Sequence, residues 1–423
     1  MEIFSRLYYQ YRRILKIIAL YIMISGPGIV VMVADNDAGG ITTYAATGAK
    51  YGYSFIGFLI LLIPIAYFVQ EMTVRLGAVT KRGHAESIFN AFGCFWGWFS
   101  LIDLMIVNWL TLVTEFIGMT AALGIFGIPS YATILGVYVL MGIMVLNGRY
   151  WTWEKIALLF CALNLIYIPS AFMIHPNISA VVHQTIFPNF QGGFNNQLFF
   201  FLMANIGTTI APWMIFFQQS AVVDKGMKEK DIPWGKFDTM LGSILTVVVA
   251  IFIVIVTGTL LLGVNIDSAA QASLMLMKKN TYVGTFLAIG LFNAGMLGAI
   301  CISLASSWAF GEIFGWAHSL NNKIKEAPWF YANYFFTLIT AGLVALIPNP
   351  PLLVLITLFV QVIAVTLLPA DLVFLMLLLN DKKLMGEYKN NWMQNVVGIF
   401  IVSLIIILST LYAISTLFPN LFQ

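Results

Sequence analysis

Two carboxylates stand two positions apart in "VADNDAGGITTYAATGAKYG", residues 33–52, with a glycine pair close behind. Asp35 and Asp37 offer charged oxygens, Asn36 between them offers an amide, and Gly39-Gly40 weakens any helix that runs through. Such a set suits a hard cation, because carboxylates supply charge and unwound backbone supplies carbonyl oxygens. The surroundings make it costly. Apolar sequence runs on both sides, and even the gentlest scale puts an aspartate at the centre of a membrane span near about +2.5 to +3.5 kcal/mol. A carboxylate that merely caps a second half-helix explains one acid at most, and a serine would cap at lower cost.

Composition says what positions this segment. The chain has 423 residues, 60% of them hydrophobic and 9% charged, with mean hydropathy +0.91. Soluble domains carry about 25% charged residues, so this is an integral membrane protein with the bilayer as its partner. A net charge of +3 without any basic block excludes nucleic acid as a partner. Cys94, Cys161 and Cys301 lie in or at the edge of apolar runs without CxxC spacing and read as small core residues. His84, His175, His183 and His318 all fall in or beside polar connections. The start, "MEIFSRLYYQYRRILK", is basic and lacks a small-residue cleavage pattern, so residues 1–15 read as a cytoplasmic leader.

A crossing helix needs about 20 apolar residues. Eleven segments qualify, near 15–48, 54–78, 94–125, 130–147, 155–174, 196–222, 238–263, 281–312, 328–347, 351–379 and 394–417. Strict alternation puts 18 of the 21 lysines and arginines on one side, leaving Lys50, Lys278 and Lys279 on the other. That asymmetry places the N-terminus in the cytoplasm and the C-terminus outside the cell membrane. Two spans are interrupted. The first holds "DNDAGG". The sixth holds "IGTTIAPWMIFF", where Pro212 lacks an amide donor and disfavours helix at Ala211. Five spans separate equivalent elements, an odd number, so they enter from opposite sides. Broken helices in corresponding positions of inverted halves point to a secondary transporter with its site at the midplane, not to an enzyme. The halves run over 16–175 and 196–380, with an added helix over 394–418. Unwound backbone at that depth must line a cavity or be buried in protein.

On this reading Asp37 faces the cavity and holds a cation, aided by carbonyls released at Ala34 and Thr208. The remaining intramembrane polar groups are Asp103, Asn108 and Glu115 in the third span, Asn205, Gln218 and Gln219 in the sixth, Asn293 in the eighth and Gln361 in the tenth. Isolated amides such as Asn108 and Asn293 read first as interhelical glue. Asp371, in "LLPADLVF", needs a partner, and Arg75 is of the right type for one of these acids.

With these residues in view, the chain resembles the natural-resistance-associated macrophage protein (NRAMP) family of divalent metal transporters, nearly end to end. "DAGGITTYAATGAKYGY" is similar to the family's Asp-Pro-Gly-Asn break and the helix after it, with Asp37 on the metal-binding aspartate and Gly40 on the asparagine. "RLGAVTKRGHAE" resembles the stretch after the second span. "GTTIAPWMIFFQQSAVV" resembles the sixth-span Met-Pro-His segment. "QVIAVTLLPADLVFLMLLLNDKKLMGEYKNNW" resembles the tenth span, with Gln361 on the glutamine of the ion site. The resemblance implies an all-α LeuT-like fold of five-plus-five inverted repeats and an eleventh helix, with helices one and six broken.

The departures carry chemistry. The family's methionine is Ala211, its sixth-span histidine is Trp213, and its third-span acids fall on Met105 and Leu112, with Asp103 close to the first. A thioether favours manganese and iron over magnesium. Ala211 removes that preference, and Gly40 removes an amide oxygen. Both leave room, so an ion held there keeps more of its water. Magnesium dehydrates reluctantly and is usually held by one or two carboxylates plus waters. The set Asp37, Ala34, Gly40, Thr208, Ala211, Gln361 and the field-setting Asp35 therefore resembles the NRAMP-related magnesium transporter branch. Met214, one turn on, reads as a packing residue that is also able to offer sulfur. With Trp213 and Leu112 unable to relay protons, weakly coupled or uncoupled transport is expected, with Glu115 and Asp103 as the groups able to overturn it. The alternative is a conventional proton-coupled manganese and iron symporter. An amino-acid symporter of the same fold would need a substrate carboxylate at the break, where Asp35 and Asp37 would repel it. An intramembrane aspartyl protease using Asp37 and Asp371 would carry a Gly-x-Gly-Asp motif, which is absent. A pore-type channel has no need of two broken helices. No cofactor beyond the transported ion, and a monomer, are expected.

Overall fold

The computed structural model describes residues 26–146, 148–190, 193–347 and 350–417, without the side chains of 350, 351, 354, 355 and 358. The leader over 1–15 and the start of the first span lie outside the described residues, as does residue 418.

Helices dominate. The first half contains α1 (Pro27–Ala34), α2 (Ala38–Tyr51), α3 (Ile56–Thr80), α4 (His84–Phe92), α5 (Cys94–Gly124), α6 (Ser130–Leu146), α7 (Tyr150–Leu163), α8 (Tyr167–Phe172) and α9 (Ile178–Ile186). The second contains α10 (Asn196–Gly207), α11 (Pro212–Asp224), α12 (Ile232–Leu260), α13 (Ala269–Lys279), α14 (Thr281–Phe314), α15 (Pro328–Ala345), α16 (Pro350–Asn380), α17 (Lys382–Met385) and α18 (Trp392–Leu417). Among the described residues, eight helical stretches are long and apolar enough to cross a membrane. They coincide with the expected second, third, fifth, sixth, seventh, eighth, tenth and eleventh segments. The fourth is the shorter α6 and the ninth is α15. The first divides into α1 and α2.

Both breaks fall where the sequence puts them. Pro27 starts α1, and Asp35, Asn36 and Asp37 separate it from α2. Gly207 ends α10 and Pro212 starts α11, so 208–211 are unwound. The broken elements sit inside the bundle, and every residue of α1 is buried. α12 packs along α1 and α2, and α5 packs along α14. The outward faces of the crossing helices are apolar: Leu61, Phe95, Ile143, Leu343 and Phe400 are all more than half exposed or close to it, at 65%, 72%, 61%, 57% and 62%. In a bilayer these faces meet lipid, which is why a fold this poor in charge is stable there.

Several expected pairings resolve. Asn108 donates to Ser306 on α14, and Asn293 donates to Asn164, so both tie helices together. Arg75 pairs with Glu71 and Asn390, not with a mid-span acid. Asp371 instead accepts from Ser100 of α5.

Candidate ion-binding site

The site is built from the two breaks. Asp37 is the N-cap of α2 and accepts the Gly40 amide. It therefore does cap a half-helix, yet the cap uses one oxygen, Oδ1. Gln361 on α16 donates Nε2 to the same carboxylate, at 3.2 Å from Oδ1 and 3.4 Å from Oδ2. Glu115 on α5 accepts the Ala38 amide at 3.0 Å. In an unbroken helix that amide would bond the Ala34 carbonyl four residues back; the extended backbone at Asp37 prevents this, and Glu115 takes up the amide instead. On the other break, Pro212 has no amide to give Thr208, and the Thr208 carbonyl accepts the Tyr44 hydroxyl at 2.9 Å. The released carbonyl is thus half engaged, with a second lone pair left.

Glycines let these parts meet. A Cβ on Gly40 would lie 3.1 Å from the Asp35 carbonyl, 3.2 Å from Asp37 Oδ1 and 3.6 Å from Thr208 Cβ, so this position looks into the gap between the breaks. A Cβ on Gly207 would collide with the Gln361 carbonyl, and one on Gly39 with the Gln361 amide. At Gly207 only bare backbone lets α16 lie against α10, while at Gly39 a side chain would displace the Gln361 amide from Asp37. On the far side, a Cβ on Gly298 would lie 3.0 Å from the Glu115 carboxyl carbon and 3.2 Å from Asp37 Cβ.

Asp37, Ala34, Gly40, Thr208 and Gln361 are therefore brought together, and Ala211 closes the second break beside them. All are buried. Asp35 is buried two positions earlier as the C-cap of α1, and its Oδ2 has no hydrogen-bond partner among the described residues. Glu115 Oε1 is likewise without one. No basic side chain pairs with Asp35, Asp37 or Glu115 among the described residues. Nor do three Asp, Glu, His or Cys side chains converge there as a complete metal cage. An ion held here would depend on carbonyls, an amide and water besides carboxylate.

Two residues stand closer to the site than the sequence suggests. Glu115 lies three positions after Leu112, on the same face of α5, and its helical spacing was the available signal. Met214 bends back so that its sulfur accepts the Ala211 amide at 3.3 Å. A thioether therefore stands at the second break although the break residue itself is alanine. Trp213 is fully buried, and its indole nitrogen has no partner among the described residues.

Outside the membrane-spanning segments, His84 at the start of α4 is fully buried and meets Gln219 of α11 at 2.9 Å. Burial pushes its pKa down to about 4, partly opposed by that bond. It stands neutral at physiological pH and holds the far half of α11.

A sequence profile of the natural resistance-associated macrophage protein-like family matches residues 28–415. The chain belongs to this family. Among its relatives is the divalent metal cation transporter MntH of Staphylococcus saprophyticus, 26% identical over 427 residues, with 92% of this chain and 91% of that protein covered. Among solved structures, the manganese transporter of Eremococcus coleocola superimposes with a TM-score of 0.76 at 18% identity, covering 94% of this chain and 88% of that one. MhsT, solved with L-phenylalanine, follows at a TM-score of 0.59 and 13% identity, covering 92% and 98%. The NRAMP chain thus has the LeuT-like transporter fold, which accounts for its paired breaks: both interrupted helices cross the centre of that fold.

Proposed function

We propose that this protein carries divalent metal cations across the cell membrane by alternating access. The observation that carries the reading is the Asp37 carboxylate, buried between two helix breaks, engaged by Gln361 and free of any basic partner among the described residues. A buried carboxylate in that setting needs a counter-charge, and a transported cation supplies it. The relatives named as divalent metal cation transporters support the same reading.

Asp37 provides charge, Asp35 deepens the negative potential, and the Ala34 and Thr208 carbonyls complete the oxygen set. Gly40 and Ala211 leave space, so the ion keeps part of its water. That supports magnesium as the main ion, with manganese also carried, and a reading of the chain as one of the family's magnesium transporters. A membrane potential favours cation entry by about 2.3 kcal/mol per charge per 100 mV, so uptake needs little or no proton coupling. The inverted halves 16–175 and 196–380 rock about the site. Two cavities lie at opposite ends of the sixth span and suit the two access routes. One of about 600 Å³ borders Asn196, Lys50 and Asp267, and one of about 390 Å³ borders Asp224 and Glu312. The N-terminus is cytoplasmic, and the monomer suffices.

Two observations favour a second reading, proton-coupled manganese transport: the Met214 sulfur at the second break and Glu115 beside Asp37. Liposomes holding the purified protein, with entrapped dyes for magnesium, manganese and pH, separate the two. Saturable magnesium uptake that vanishes in Asp37→Ala, without internal acidification, is the expected result. Manganese uptake with acidification and no magnesium signal would replace it with the second reading.

A further inference from the structure

The half-helix α1 has no cap of its own. Its N-cap is Gly26, which has no side chain, and Pro27 follows. The amides of its first turn turn instead to one carboxylate on α12. Asp238 accepts from Gly26 at 2.9 Å, from Gly28 at 2.7 Å and from Ile29 at 3.3 Å. Below this point the same face of α12 continues the contact. A Cβ on Gly242 would lie 2.7 Å from the Gly28 carbonyl and 2.9 Å from Met32 Cβ. Thr246 donates to the Met32 carbonyl, and its own carbonyl accepts the Asn36 amide at 3.0 Å. Positions 238, 242 and 246 are spaced by four, one stripe of a helix. The stripe runs from the first turn of α1 to the break itself.

The far end of α11 arrives at the same place. Lys225, its C-cap, pairs with Glu154 of α7 at 2.9 Å. A Cβ on Gly26 would lie 2.6 Å from Lys225 Nζ and 3.3 Å from Asp238 Oδ2. The two half-helices on this side of the breaks therefore meet at their distal ends in one charged cluster, while their near ends border Asp37.

We infer that Asp238 is a positioning residue for transport: it clamps α1 against α12 and so keeps this side of the site shut. This inference rests on the alternating-access reading for its purpose, and on geometry alone for its location. α1 is short, about 12 Å at 1.5 Å per residue, so losing its three-amide anchor leaves it held at the break end alone, through Thr246, and loosens its outer turn. Gly28 offers an independent route to the same end. A Cβ there would lie 2.6 Å from the Thr239 amide and 2.8 Å from Asp238 Oδ2, so Gly28→Ala pushes α1 off while leaving the Asp238 charge in place.

The test uses the full chain with exposed Cys94 replaced by serine and a reporter, Met32→Cys, on the docking face. Met32 is fully buried, and Cys301, fully buried on α14, is the internal control. Labelling by an impermeant maleimide is followed by peptide mass spectrometry in intact cells and in inverted vesicles. Asp238→Asn is expected to speed Met32→Cys labelling about tenfold in one preparation and not the other, as loss of a charge-assisted anchor allows. Cys301 should stay unlabelled, and Gly28→Ala should act alike. Apparent KM for magnesium or manganese should rise severalfold with Vmax held within about twofold, since the state that loads the ion is less populated. Unchanged labelling in both variants, or labelling that rises equally at Cys301, overturns the inference. Failure of every ion to be transported would leave the labelling result standing and remove the transport reading instead.

Discussion

Gln361 on α16 holds Asp37 across the first break, its amide nitrogen within 3.4 Å of both carboxylate oxygens. A donor in that position orients the carboxylate without neutralising it. Removing a partner that orients a ligand typically costs about 10–100-fold in metal affinity. Gln361→Ala should therefore raise the KM for ion uptake by about tenfold or more. Asp37→Ala should abolish saturable uptake. Dye-loaded liposomes measure both, and equal losses in the two variants would contradict the division of roles.

Ion preference should follow the open positions. Gly40→Asn and Ala211→Met add the amide and the thioether that the space now lacks, and a soft ligand favours manganese. The double variant should shift the manganese-to-magnesium uptake ratio upward by about tenfold. Competition uptake with both ions present reads that ratio. An unchanged ratio would mean that the Met214 sulfur already sets the preference.

Glu115 accepts the Ala38 amide and also stands against the Asp37 carboxylate, with no basic side chain paired to either among the described residues. Glu115→Gln keeps an oxygen for that amide and removes the titratable group. Magnesium uptake should persist within about threefold, and internal pH should stay flat in both proteins. Acidification in the wild type that disappears in the variant would favour the proton-coupled reading.

His84 brings pH into stability. Its pKa in the folded protein is near 4, while an unfolded histidine titrates near 6.5. The unfolded chain binds the extra proton between these values, so stability is full above about pH 6.5 and falls as pH drops toward 4. The loss approaches about 3 kcal/mol at the low end. His84→Gln should flatten this slope in detergent melting curves. Because Gln219 also donates to the Arg82 carbonyl at 2.9 Å, the variant should keep part of the α4–α11 contact.

Gly207 faces the Gln361 carbonyl so closely that no Cβ fits. Gly207→Ala must part α10 from α16, with overpacking of this kind costing about 1–3 kcal/mol. A lowered melting temperature together with weakened ion uptake is expected, and an unaltered melt would place the contact elsewhere.

Much of this arrangement was legible in sequence, for identifiable reasons. Pro212 cannot donate an amide and Asp37 cannot rest in lipid unpaid, so each break announces itself. Gln361 was reached through its resemblance to the family's tenth span. What sequence hid were meetings set by packing. Glu115 reaches Ala38 only because α5 passes the first break at the right height, with a bare Gly298 beyond it. Met214 was placed as a packing residue, and its sulfur's return to the Ala211 amide depends on a rotamer. Asp238 reads as an ordinary acid near the start of a span, because nothing local indicates that it serves amides 210 residues earlier.

That last separation also governs how the chain is made. α1 leaves the ribosome long before α12, so its first-turn amides must rely on water or other partners until Asp238 exists. A half-helix of eight residues is too short to cross the bilayer unaided. During synthesis the first span must therefore wait, either continuous through 35–40 or sheltered from lipid by other protein. The break would then form late, as α12 docks, so the ion site would be among the last parts of the molecule to mature.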